Sequence, residues 1–145
     1  MSKGNTFEND LLLLIFNNTN AANIGDATGL RGSSTAGSLY LSLHTGDPGE
    51  AGNQTTSECA YTSYARVAVA RSGAGWTVTG ASASPAANVD FPAATGGSET
   101  ATHFAIGTDS SGTGKILYKG TISPNITITT GVQPRISTAS TITED

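Results

Sequence analysis

His44, Asp47 and Glu50 stand three residues apart in "LSLHTGDPGEAG", residues 41–52. An imidazole and two carboxylates at such spacing are the residue types of a metal centre or a proton-transfer site. A metal centre needs several ligands converging on one point, and here Pro and Gly separate the three groups, so no single helix face carries them. Turn chemistry accounts for the stretch better. Asp47 precedes Pro48, which biases it to an extended backbone, and Gly49 tolerates positive φ. His44 is expected to end a strand. No metal, cofactor or catalytic role is assigned to the cluster.

Three other stretches invite chemistry. A Ser–His–Asp relay could be drawn from His44 or from His103 in "THFAIG", but the chain has no Gly-x-Ser-x-Gly elbow. His103 is expected mid-strand, half-buried, with one hydrogen bond. "GTDSSGTGKIL" (residues 107–117) resembles a phosphate loop only superficially. Ile116 follows Gly114–Lys115 where Ser or Thr is needed, and Asp109 stands where the first Gly belongs. The segment that follows reads as a strand, so no helix N-terminus faces the turn. A hairpin turn is expected there. Trp76, between Gly75 and Gly80, could stack on a sugar, but a lone Trp in a strand is expected to anchor a core. The chain is therefore read as a non-enzyme.

The elements that must position these residues alternate with period two from Ser38 onward. "SLYLSLH" sets Leu39, Leu41 and Leu43 on one face, with Tyr40, Ser42 and His44 on the other. "YARVAVAR" sets Ala65, Val67 and Val69 on one face. "GWTVTG", "VDF", "THFAIG", "KILYKG", "NITITT", "VQPRIS" and "STIT" continue the rhythm, with Phe104 and Ile106 expected inward. About eight short strands with frequent turn signals predict an all-β fold, an antiparallel β-sandwich or jelly roll. No helical period recurs after Phe16, which argues against βαβ units.

The N-terminus differs. "NTFENDLLLLIFNN" predicts a short helix, with Asn5 as N-cap, Glu8 as its capping-box partner, and Asn17 and Asn18 at its end. Phe7, Leu11, Leu14 and Ile15 form one stripe, and Leu12, Leu13 and Phe16 widen it. A short helix this apolar must be covered. Either the helix packs on its own domain, or it docks on a partner subunit with Phe7, Leu11, Leu14, Ile15 and Phe16 as the candidate anchor. An arm poor in apolar residues follows to Ser38. The domain reading is thus residues 1–37, helix and arm, and 38–145, β-sandwich.

Composition narrows the class. The chain has 145 residues, the size of one ordinary domain, with 12% charged residues and a formal net charge of −4. Its basic residues are scattered, so no footprint for nucleic acid or an anionic membrane surface exists. "LLLLIF" is too short for a signal core or a membrane span. Cys59 is the only cysteine, so neither an internal disulfide nor a cysteine-based zinc site can form. Folding in a reducing cytoplasm is expected.

"LYLSLHTGDPGEAG", "CAYTSYARVAVAR" and "THFAIGTDSSGTGKILYKG", in that order, together with the terminal "TED", resemble small structural proteins of tailed bacteriophages. The resemblance spans most of residues 39–120 and is nearest to jelly-roll head decoration, or cementing, proteins. It implies a protein on the outer capsid surface of the virion that clamps neighbouring major capsid subunits. Self-association as a dimer or trimer is expected, with no catalytic residues and no cofactor. A tail or fibre module is the alternative. The matching positions His44, Asp47, Pro48, Gly49, Tyr64, Arg66, His103 and Gly107 are read as fold and turn determinants.

Overall fold

An apolar run ending in two asparagines folds as helix α1, Asn5–Asn17, in the computed structural model, which describes residues 2–25 and 29–145. Met1 and residues 26–28 of the expected arm lie outside the described residues. The expected capping box does not form. Gly4 is the N-cap, no side chain caps the helix, and Asn5 is already helical. The Gly4 carbonyl instead accepts from Phe7 N and Glu8 N at 2.8 and 3.1 Å, so backbone alone closes the first turn. Asn18 ends the helix in the left-handed conformation, φ 56°, which Asn tolerates. The Arg71 guanidinium donates to the carbonyls of Leu14 and Ile15. It places a cation at the negative end of a helix whose own last turn has no basic residue.

The strands are β1 Ser38–His44, β2 Val67–Ala70, β3 Trp76–Thr79, β4 Ser82–Pro85, β5 Val89–Asp90, β6 Glu99–Gly107, β7 Ile116–Ile128, β8 Arg135–Ile136 and β9 Ile142–Thr143. The fold is all-β apart from α1, and the sheet pairings are antiparallel, the class expected of a sandwich. Two expectations change. "KILYKG" and "NITITT" are parts of one strand, β7, because the intervening Ser123–Pro124–Asn125 is absorbed as a bulge. Ala65 lies outside β2 and is exposed.

The chain forms two compact units. One comprises the described part of Met1–Ser38 with Val69–Asn88 and Ser137–Asp145. Its sheet runs β3-β4-β9, and α1 packs on β3 and β4. Leu12, Phe16 and Trp76 are its buried centre, with the Phe16 and Trp76 ring centroids 4.7 Å apart. Trp76 is thus a core anchor.

The other unit comprises Leu39–Ala68 and Val89–Ile136. It carries the four-stranded order β2-β1-β6-β7 and the pair β5-β8. β1 and β6 are in register from Tyr40↔Gly107 to His44↔His103. Leu39, Leu41 and Leu43 are buried as expected, but so are Ser42 and His44, so both faces of β1 are covered at its end. Phe104 is half-buried and Ile106 fully buried.

Candidate functional site

β1 delivers His44 to the start of the long irregular connection 45–66. Long connections carry many backbone groups that need partners. Here the partners come from the residues that the sequence singles out, and the site is the clamp they make between this connection and the β6–β7 hairpin.

His44 is fully buried. Its Nδ1 lies 2.9 Å from the Thr56 carbonyl and its Nε2 2.9 Å from Ser42 Oγ. A carbonyl only accepts, so Nδ1 carries the proton and Nε2 accepts from the Ser42 hydroxyl. Burial lowers the His44 pKa below its usual value, and Glu58 opposes the shift only in part. A neutral imidazole with both nitrogens engaged is a cross-link.

Asp47 and Glu50 do not converge on His44. Asp47 Oδ1 accepts from Gly49 N at 2.8 Å, and Gly49 has φ +71°, so the expected turn forms. The same carboxylate takes the Lys119 ammonium at 2.9 Å, which holds its pKa below the usual range. The Asp47 side chain is 52% exposed, so the pair contributes little stability. Pro48 is buried beside this turn and Glu50 is exposed. Gly49, Glu50 and Ile116–Lys119 line an open pocket of about 320 Å³. Among the described residues, no group of three or more His, Cys, Asp or Glu side chains is placed to hold a metal ion.

Tyr64 and Arg66 converge on Glu58. The Arg66 guanidinium grips both carboxylate oxygens, at 2.7 and 2.8 Å, and the Tyr64 hydroxyl donates to Oε1 at 2.9 Å. Arg66 also donates to the carbonyls of Asp109 and Gly112, at 3.0 and 2.7 Å. The Arg66 side chain is only 3% exposed. Its hydrogen bonds to Glu58 raise its pKa, so it stays charged. The planar fork with five donors makes this possible, and Lys could not replace it. The Tyr64 oxygen also accepts from Leu43 N at 3.0 Å, and burial raises the Tyr64 pKa.

Gln54 completes the clamp. Fully buried, it accepts from Asp109 N at 3.0 Å through Oε1, while its own N–H donates to Gly114 O at 2.9 Å. Gly107 and Gly114 make room for it, since a Cβ on either would stand 2.1 Å from a Gln54 side-chain atom. The "GTDSSGTGK" turn is therefore a hairpin turn held by Gln54 and Arg66. Glu99 Oε1 accepts from Ala60 N and Tyr61 N, at 2.9 and 2.6 Å. The buried thiol of Cys59 is pushed up to about 12 by desolvation, which makes it a poor nucleophile.

His103 is half-buried at mid-strand and bonds Thr102 Oγ1 at 2.8 Å, as expected. In α1, Phe7 is 38% exposed, Leu11, Leu14 and Ile15 are half-buried, and Phe16 is fully buried against Trp76. Phe16 thus serves its own unit's core, and the surface stripe is Phe7, Leu11, Leu14 and Ile15. Sequence reasoning missed Gln54, Glu58, Glu99 and Lys119. In a chain with 12% charged residues, a carboxylate such as Glu58 inside a Thr/Ser-rich loop was itself a signal.

The polar groups of the clamp are spent on backbone carbonyls and N–H groups or on one another, which is the property of a structural module. A family model described as podophage GP4 fiber I protein gp80 matches residues 3–144. The chain belongs to this family. It is accordingly a structural protein of a phage virion. The match runs through the clamp, α1 and both units, so the family embraces the whole described fold. A comparison with curated proteins found no match.

Proposed function

We propose that the chain is a building block of a podophage fibre that joins neighbouring virion proteins and acts on no substrate. The family match over residues 3–144 carries this reading. The cross-linked connection 45–66 supports it, because a module that transmits load needs its loops tied down. The exposed Phe7 and the half-buried Leu11, Leu14 and Ile15 supply the face by which α1 docks on a virion partner.

Immunogold labelling of intact virions with antibody against this chain tests the position. Gold on the fibres is the expected result. Gold confined to the head shell overturns it in favour of the capsid-cementing reading. In that reading the partner is the major capsid protein, and heads lacking the chain break at lower temperature.

A further inference from the structure

Among the described residues, Phe7 and Leu30 are the large apolar side chains left exposed. Leu30, 42% exposed, stands next to an exposed cation, Arg31. The backbone around this pair is fixed. Leu30 N and O exchange 2.9 Å hydrogen bonds with Ala21, Gly32 N donates to Asn20 Oδ1 at 2.9 Å, and Ser33 N donates to Asn18 Oδ1 at 2.7 Å. Gly29 and Gly32 flank the pair, and a Cβ on either would collide with the backbone of Ala21 or Asn18. The main chain is thus pressed against residues 18–21 while two side chains stand clear of it. A knob held in place beforehand loses little freedom when it binds.

The knob's charge is unspent. Lys3, Arg66, Lys119 and Arg135 form salt bridges, and Arg71 is taken by the carbonyls at the end of α1. Arg31 has no salt bridge or hydrogen-bonded side chain among the described residues. Lys115 is also without a salt bridge, but its apolar neighbour Ile116 is half-buried. Leu30–Arg31 therefore joins an exposed large apolar side chain to a free cation.

The pocket of about 320 Å³ has the matching character. Four consecutive residues of β7, Ile116 to Lys119, line it. A regular strand alternates its faces, but here Ile106 pairs with Tyr118 and Gly107 with Ile116, so Leu117 is an extra residue. Such a bulge re-aims side chains. Ile116, Leu117 and Tyr118 are half-buried and form an apolar wall. Asp47 neutralises Lys119, whereas Glu50 is exposed and has no salt bridge among the described residues. An open hollow at the small end of the ligand-pocket range, about 300–1,000 Å³, suits a protruding pair of side chains. Apolar and Arg anchors seated in pockets carry much of the energy of protein interfaces. We propose that Leu30–Arg31 of one copy seats in this pocket of a second copy, with Leu30 on the apolar wall and the Arg31 guanidinium on the Glu50 carboxylate. Knob and pocket are different patches, so reciprocal seating closes a pair and one-way seating extends a row of copies. Repetition across many copies makes a small contact strong. The inference holds for either virion position.

Sedimentation of the purified full chain, from micromolar to millimolar concentration, tests it. Self-association is expected. Arg31→Glu and Glu50→Arg each replace the attraction by a repulsion and should weaken association about 10-fold or more. Both residues are exposed, so circular dichroism should not change. Mixing the two single variants should restore association, because each supplies the charge that the other now needs. Leu30→Ser should weaken it as well. A wild-type monomer at every concentration overturns the proposal and leaves the pocket to another virion protein. Association that survives either charge reversal overturns it too, as does a mixture of the two variants that stays monomeric.

Discussion

At Gly107 a Cβ would stand 2.1 Å from Cδ of Gln54, a side chain with no exposed surface to retreat to. Gly107→Ala should therefore destabilise the protein by about 1–3 kcal/mol, the usual cost of overpacking. Gln54→Ala removes the obstacle, so the two substitutions should cost less together than their sum. Urea denaturation of the four proteins measures the coupling, and strict additivity would refute the packing account. Gly107, Tyr64, Arg66 and His44 were singled out in the sequence as fold and turn determinants. Their partners were not. Arg66 reaches carbonyls 43 and 46 residues away, and Gln54 reaches Asp109 across 55. No local period encodes contacts of that separation. A buried ion pair such as Glu58–Arg66 also depends on geometry, since losing one partner leaves an unpaired charge that costs about 3–5 kcal/mol.

α1 was legible as an element because its apolar spacing and terminal asparagines are local signals. Which of its apolar residues face inward was not, because a helix apolar nearly all round offers no unique buried face. Trp76 decides it, by taking Phe16. Phe16→Ala should cost about 3–5 kcal/mol, the range for an aromatic lost from a core. Phe7→Ser, at a position 38% exposed, should stay within about 0.5 kcal/mol. Thermal unfolding of both variants distinguishes them, and equal losses would contradict the assignment. β7 shows the opposite limit. "SPN" reads as a break between two strands, yet the ladder with β6 resumes beyond it at Ile126. A bulge lets one strand continue through turn-forming residues, and only the neighbouring strand reveals it.

For the molecule as a whole, stability should form a plateau in pH. Burial lowers the His44 pKa below its ordinary 6.5. As pH falls below about 6.5 the unfolded chain takes up that proton first, so stability declines on the acid side. Cys59 and Tyr61 are pushed up to about 12 from 9.0 and 10.0, mainly by desolvation. The unfolded chain releases those protons first as pH rises above about 9, so stability declines there too. Urea midpoints measured against pH should show both limbs. Cys59→Ala should move the alkaline onset toward about 10, where unfolded tyrosines begin to ionise. An onset that does not move would refute the role given to the thiol.

The sequence by itself determined the class of this protein. Period-two alternation from Ser38 onward specifies strands, and the strand end at His44 followed by the Asp47–Gly49 turn was readable because turn chemistry is local. Low charge and the order of the motifs pointed to a phage virion structural protein, and the family match agrees. The tertiary structure decided what each singled-out residue holds. His44 ties β1 to Thr56, Arg66 joins Glu58 to the β6–β7 turn, and one edge of β7 is left open. The physical reason is separation along the chain. Propensity and periodicity act over a few residues, whereas a buried hydrogen bond or an unpaired edge exists only when distant segments meet.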